Sequence, residues 1–246
     1  MSTVAEVVTR LADRRPLLVA SDYDGVLARL RDVPGEAVPE EWAPDLLRRL
    51  AGADGVTVVM VSGRGLDDLR TTSGLGAPIR FVGSHGAEFD DGLDAGVAAE
   101  RDLLVGAVQP LVDAVPGARL EVKPAAVAVH VRTVADRAAA AALLERAAAA
   151  AGPHHTAKPG KDVLELAVTD ADKGTAVLRL ADSLGADGVL YLGDDRTDED
   201  AFTALAPRVG AVTVKVGDGD TAAQLRVPDL DGVHDLLEAL AVALAV

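Results

Sequence analysis

Residues 17–30 read LLVASDYDGVLARL. The apolar run Leu17 to Ala20 breaks off into two aspartates one residue apart, Asp22 and Asp24, followed by Gly25. A short apolar run of this kind suits a strand buried on both faces, and such strands belong to parallel sheets. Working outward, the same grammar repeats. EWAPDLLRRLAG has Trp42, Leu46, Leu47 and Leu50 at helical spacing, and VTVVMVSG is an unbroken β-branched run. GLDDLRTTSG reads as helix and RFVGSHG as strand. Toward the end, DKGTAVLRLADSLG, GVLYLGDD, TDEDAFTALA, VTVKVG and GVHDLLEALAVALA alternate helix and strand again. Strands alternating with helices predict an α/β fold, a doubly wound, Rossmann-like parallel sheet with helices on both faces. Ligands of such sheets sit beyond the carboxyl ends of the strands.

The middle of the chain has a different pattern. LEVKP, AVAVHVR and DVLELAV alternate as half-buried strands do, and VADRAAAAALLERAAAAAG reads as one long helix ended by Gly152. The expected organisation is a core of residues 1–102 and 169–246 interrupted by a small α/β insert at 103–168.

Composition limits the functions. The 246 residues include 24 basic and 39 acidic ones, net −15, which disfavours nucleic acid and anionic membrane as partners. There is no cysteine, hence no disulfide, thiolate nucleophile or thiolate metal site. The N-terminal stretch MSTVAEVVTRLADRR is charged throughout and lacks the apolar core of a signal peptide, and no run is long enough to span a bilayer. A soluble cytoplasmic protein, monomeric, acting on a small molecule, is expected.

Three strand ends and one helix start carry the chemistry. LLVAS ends in Asp22 and Asp24, VTVVMV in Ser62-Gly63-Arg64, and GVLYLG in Asp194-Asp195 with Asp198 just beyond, while Lys173 opens the helix before that last strand. A parallel sheet brings these groups to one edge. Carboxylates crowd together at a cost unless a cation holds them, and an all-oxygen set without His or Cys suits Mg²⁺. A phosphate ester fits. Asp22 would attack phosphorus as a carboxylate nucleophile, and Asp24 would protonate the leaving oxygen and then deprotonate water. Mg²⁺ would bridge Asp22, the Asp24 carbonyl and Asp194. Ser62 would hydrogen-bond a phosphoryl oxygen, and Lys173 would neutralise charge on the nucleophile and the transferring group.

Asp22-Tyr-Asp-Gly-Val-Leu27, Ser62, Lys173-Gly174 and the run Gly193 to Asp200 resemble the four motifs of the haloacid dehalogenase superfamily. More narrowly, the chain resembles trehalose-6-phosphate phosphatases through SGR at 62–64, GSHGAE at 83–88, EVK at 121–123, HVR at 130–132, GKDVLEL at 160–166, DKG at 172–174 and GDDRTDEDAF at 193–202. The resemblance implies a mobile cap between the second and third motifs, and a metal-bound water held by Asp198. It implies disaccharide contacts from Glu121, Lys123 and Glu165 in the cap, and puts Gly63, Arg64 and His85 on the substrate side. The implied reaction is Mg²⁺-dependent hydrolysis of trehalose 6-phosphate. Four positions depart from the family: Val26 where Thr is usual, Val131 where an aromatic is common, and Ala167-Val168 where Arg-Pro often follows.

Each residue also has a plainer use. Asp22 and Asp24 suit a strand-end turn, and Ser62 suits the N-cap of the next helix. Asp198 and Glu199 suit the dipole of theirs. His85 fits a loop position bonded to backbone as well as it fits a substrate contact, and His130 fits core packing. Glu121, Lys123 and Glu165 suit a cross-strand charge cluster. The rival activities are a phosphatase of another glycosyl phosphate of the sucrose or glycosylglycerate type, a phospho-accepting signalling domain, and an inactive sugar-phosphate-binding homologue.

Overall fold

A computed structural model describes residues 3–246. The chain divides into two compact units, a larger one formed by residues up to Asp90 together with Ala171–Val246, and a smaller one at Asp91–Asp170. The first stretch of the larger unit contains α1 (Val4–Ala12), β1 (Leu17–Ser21), α2 (Ala43–Gly52), β2 (Val56–Val61), α3 (Leu66–Ser73), β3 (Arg80–Val82) and β4 (Glu88–Phe89). The smaller unit contains β5 (Gly92–Leu93), α4 (Ala95–Asp113), β6 (Arg119–Lys123), β7 (Ala126–His130), α5 (Arg137–Ala151), β8 (Thr156–Gly160) and β9 (Val163–Ala167). The chain then returns with α6 (Lys173–Ser183), β10 (Gly188–Gly193), α7 (Asp198–Leu205), β11 (Ala211–Val216), β12 (Leu225–Val227) and α8 (Leu230–Ala243). The expected insert bounds, 103 and 168, shift to 91 and 170, because residues 95–113 form one continuous helix that a cut at 103 would divide.

The larger unit is built on a parallel sheet of six strands in the order β12-β11-β10-β1-β2-β3. All five residues of β1 are buried. Their alternation sends Leu17 and Val19 into a cluster with side chains of α1, α2, α3 and α8, and Leu18 and Ala20 into a second cluster with α6 and α7. This two-sided burial is why the strands read as unbroken apolar runs. Truncating one of these buried leucines would cost roughly 2–5 kcal/mol. The strand order reverses between β1 and β10, which is where a doubly wound sheet opens a crevice at its carboxyl edge. Helix starts are fixed locally. Thr3 and Glu6 form a capping box on α1, and Asp172 and Thr175 form one on α6, so Lys173 is the first residue of its helix.

The smaller unit has an antiparallel sheet, order β6-β7-β9-β8. Val127, Val129, Leu164 and Leu166 pack on Leu104 and Val108 of α4 and on Ala140, Leu143 and Ala147 of α5. The alanine-rich helix is thus structural: its small side chains let it lie close to the strands. Asp136 caps its start, and Gly152 ends it at a φ of 73°. The alternate residues form the other face of the sheet. There Glu121, Ala128, Glu165 and Lys158 lie in one cross-strand row, and Lys123, Ala126, Ala167 and Thr156 in the next. Among the described residues no helix is long and apolar enough to cross a membrane.

Candidate active site

The carboxyl edge of the parallel sheet gathers the residues expected from the three strand ends and the start of α6. The Asp22 N–H donates to the Leu192 carbonyl at 2.9 Å, extending the β1–β10 ladder by one residue and fixing where its side chain emerges. Asp22 is only 4% exposed. Its Oδ1 accepts from the Tyr23 N–H at 2.7 Å and its Oδ2 from Lys173 Nζ at 2.7 Å. Lys173, itself buried, donates also to Asp198 Oδ1 at 2.9 Å and lies 3.9 Å from Asp195.

The chain then has to turn sharply. Gly25 takes a φ of +81°, and a Cβ there would lie 2.0 Å from Asp194 Oδ2. Glycine is therefore demanded twice over, by the backbone conformation and by the Asp194 carboxylate resting against the loop. The sequence GDD serves the same end from β10. Asp198 is fully buried, and its two oxygens accept four hydrogen bonds, from Lys173, the Tyr191 hydroxyl and the N–H groups of Asp194 and Asp195. Asp195 Oδ1 in turn accepts from the N–H and hydroxyl of Thr197 and from the Asp198 N–H.

Electrostatics favours a further cation. Burial opposes the charged form of Lys173, but the Asp22 and Asp198 carboxylates outweigh it and hold the ammonium charged far above neutral pH. Burial pushes the Asp22 carboxyl well up; Lys173 offsets part of this and Asp198 adds to it. Burial, with Asp198 and Asp195 behind it, raises Asp194 to about 6. Lys173, with Lys215 acting on Asp194, thus faces four carboxylates. Oxygens of Asp22, Asp195 and Asp198 lie within 4.8 Å of one another, an all-carboxylate donor set that fits a hard divalent ion.

The structure also redirects several expectations. Asp24 does not turn toward that cluster; its carboxylate is held by Arg64, with Nε to Oδ2 at 2.6 Å and Nη2 to Oδ1 at 2.8 Å. Asp198, expected among the metal ligands, is in the donor set while its oxygens also hold Lys173, Tyr191 and the loop N–H groups, and Asp195, assigned no role above, joins it there. Ser62 lies buried at the end of β2 but does not cap the following helix. Its Oγ accepts from the Arg64 N–H at 3.2 Å, and the N-cap of α3 is Gly65. Gly63 is needed because the His85 ring lies against it: a Cβ at Gly63 would sit 2.5 Å from His85 Cε1. His85 reaches that place through two consecutive left-handed residues, Ser84 at φ 50° and His85 at φ 55°. Gly63, Arg64 and His85 line one cleft with Asp22, Asp24 and Lys173. Arg31 lines it too, exposed, with no ion pair to any described residue.

Glu121, Lys123 and Glu165 lie together on the open face of the smaller unit's sheet. Lys123 donates to Glu165, and His130 Nε2 lies 2.7 Å from Glu121 Oε2. Burial pushes Glu121 up, but the His130 bond and the Lys123 charge outweigh it and hold the carboxyl below its usual range. His130 is thus not a packing residue: the register puts it on the polar face, two residues from Ala128. Two further residues escaped the sequence. Tyr191 reads as core, yet its hydroxyl donates to Asp198 Oδ1 at 2.7 Å. Lys215 reads as a surface residue, yet it is 5% exposed and donates to the Asp194 carbonyl at the end of the neighbouring strand. The cue available for Lys215 was a lysine inside the β-branched run VTVKVG.

With this geometry in place, likeness to known proteins is informative. The sequence profile of the trehalose-phosphatase family matches residues 20–230. A bifunctional trehalose-6-phosphate synthase/phosphatase of Thermoproteus tenax is 38% identical over 239 residues, 93% of this chain and 32% of that protein. A trehalose-6-phosphate phosphatase of Escherichia coli is 33% identical over 234 residues, 91% of this chain and 86% of that protein. The chain therefore spans about a third of the length of the first relative and most of the second. Among solved structures, a trehalose-6-phosphate phosphatase of Aspergillus fumigatus superposes with a TM-score of 0.74 at 22% identity, covering 99% of this chain and 98% of that one, which is likeness of fold.

Proposed function

The chain belongs to the trehalose-phosphatase family, and from that premise we propose that it hydrolyses trehalose 6-phosphate to trehalose and phosphate through a phosphorylated Asp22. The observation that carries the proposal is the buried Asp22 carboxylate, aimed by the Tyr23 N–H and Lys173, with Asp24 beside it in the same cleft.

An Asp22 oxygen attacks phosphorus as the bond from phosphorus to the sugar oxygen breaks. Asp24 supplies a proton to that departing oxygen, and the sugar leaves as a neutral alcohol. Asp24 then takes a proton from water, whose oxygen attacks phosphorus. The Asp22–phosphorus bond breaks, and inorganic phosphate is released. Ser62 hydrogen-bonds a phosphoryl oxygen, and Lys173 offsets charge on nucleophile and phosphoryl group alike. Asp22, Asp195 and Asp198, with Asp194 and the Asp24 carbonyl in the same cleft, would hold Mg²⁺. When bound, the ion supplies positive charge between the carboxylates and the phosphoryl oxygens. In the smaller unit Glu121, Lys123 and Glu165 take the role of disaccharide contacts. Two acceptors and a donor on an open face suit sugar hydroxyls, which both give and accept hydrogen bonds.

The test is phosphate release across a panel of sugar phosphates, with and without Mg²⁺. Trehalose 6-phosphate is expected to lead the panel, and a lead below about tenfold, or about 1.4 kcal/mol, would move the assignment to another glycosyl phosphate. Release is expected to require the ion. The ion's apparent affinity is expected to fall about tenfold per pH unit below about 6, where a proton competes for Asp194.

A further inference from the structure

Arg64 falls in a stretch that the sequence assigns to the substrate side, yet its guanidinium is almost fully occupied within the protein. Nε and Nη2 grip the two oxygens of Asp24 at 2.6 and 2.8 Å. Nη1 donates to Asp68 Oδ2 at 2.9 Å and Nη2 to the Pro34 carbonyl at 2.7 Å. The guanidinium carbon lies 5.6 Å from the centre of the Tyr23 ring. An arginine has five N–H donors and no acceptor, so four of these five are already directed at protein oxygens. The Arg64 side chain is 8% exposed and that of Asp24 is 29% exposed. Both side chains line the cleft, and the carboxylate is the more exposed of the two while the arginine is nearly used up by protein oxygens.

The network ties two distant points of the β1–α2 connection, Asp24 and Pro34, to the first turn of α3 at Asp68. Tyr23 adds to it, donating its hydroxyl to the Ala37 carbonyl at 2.6 Å. The backbone at Asp24 is held by the bonds of Gly25 to Ala28 and of Leu27 and Ala28 to Tyr23, and Arg64 aims the side chain that projects from it. A two-pronged guanidinium fixes the plane as well as the position of the carboxyl group, which a lysine would not do.

We infer that Arg64 is a positioning residue for the reaction, holding the Asp24 carboxyl at the angle from which it exchanges a proton with the leaving sugar oxygen, and not a substrate contact. This rests on the assignment of Asp24 as acid/base. It predicts a dependence on the leaving group. A sugar alkoxide needs the proton, whereas p-nitrophenolate leaves without one.

The experiment follows single-turnover release of trehalose from trehalose 6-phosphate and of p-nitrophenol from p-nitrophenyl phosphate, with enzyme in excess and Mg²⁺, in the wild type, Asp24→Asn, Arg64→Ala and the double variant, because only this first step differs between the two esters and the later attack of water is common to both. Arg64→Ala is expected to lower the saturated release rate on the sugar phosphate by about 30-fold or more and on the aryl phosphate by at least about tenfold less, with half-saturation for the sugar phosphate moving under about threefold. The double variant should be no worse than Asp24→Asn within about threefold, because Arg64 acts through Asp24. Should Arg64→Ala fail to fold, Arg64→Lys, which keeps the charge and loses the fork, must show the same split in smaller measure. Equal losses of first-step rate on both substrates, a rise in half-saturation with the saturated rate kept, or multiplicative losses in the double variant would each overturn the inference. If Asp24→Asn itself slows release from both substrates alike, the assignment of Asp24 as the acid falls; if only the Arg64 variants do so, the assignment stands and the positioning role is lost.

Discussion

The two sheets carry their chemistry in different places. In the larger unit β1, β10 and β11 are buried along their whole length, so most polar groups appear where the strands end, with the Tyr191 hydroxyl and Lys215 as exceptions that reach back to the same edge. In the smaller unit one face packs on two helices and the other carries half-exposed charged side chains over buried alanines, at alternate mid-strand positions. The parallel sheet thus concentrates a few groups in a buried, costly cluster, and the antiparallel sheet spreads them over a half-exposed face. Losses at the nucleophile should therefore be large and independent of which ester is offered, while losses at Asp24 and Arg64 follow the leaving group. Losses on the open face should be smaller and depend on the sugar.

The sharpest way to break this contrast is Asp22→Asn. Turnover should fall at least about 10⁴-fold on sugar and aryl phosphates equally, since an amide does not attack phosphorus. Unfolding midpoints should not drop, because the change removes a buried carboxylate that burial and Asp198 both disfavour. Substantial turnover by a folded Asp22→Asn protein would remove the nucleophile. Next comes Lys123→Ala on the open face. Its kcat/KM for trehalose 6-phosphate should fall roughly 10- to 100-fold, as for one lost charge-assisted contact, while that for p-nitrophenyl phosphate stays within about twofold. Equal losses on both esters would take Lys123 out of sugar recognition. The smallest effect is expected from His130→Gln, which leaves Glu121 in place and changes only the group bonded to it. A loss of about 2- to 10-fold in kcat/KM on the sugar phosphate matches one hydrogen bond of roughly 0.5–1.5 kcal/mol. A kcat loss on the aryl phosphate of comparable size would contradict the separation of roles between the sheets.

The same contrast decides what the sequence discloses. β1, β2 and β10 are legible because burial on both faces demands continuous apolar runs, and their ends are legible because Asp, Ser and Gly interrupt those runs. β8 is not legible. Thr156–Gly160 is exposed along its whole length and contains Pro159, which an edge strand tolerates and a sequence pattern rejects. α4 escapes notice because Gly96, Gly106 and Pro110 all argue against a helix; Asp94 nevertheless caps it, and Leu104, Val108 and Val112 anchor it. The residue types at the edge are foreseeable, but their pairings are not. Arg64 and Asp24 are 40 positions apart, and nothing local says that one grips the other. His130 alternates with Val127 and Val129, so its side of the strand was open to inference, yet its bond to Glu121 depends on a strand register set by tertiary packing.

One consequence follows from the order of the strands. β1 lies between β2, encoded shortly after it, and β10, encoded well over a hundred residues later, beyond the whole of the smaller unit. During synthesis the strand that ends in Asp22 emerges before its β10 neighbour and waits with one side unpaired. The smaller unit, continuous in the chain, has its complete core translated before that neighbour. No nascent chain that has yet to expose Asp194, Asp195 and Asp198 can assemble the acidic cluster, so a ribosome-bound fragment ending in α6 would hold the core of the smaller unit without the cluster.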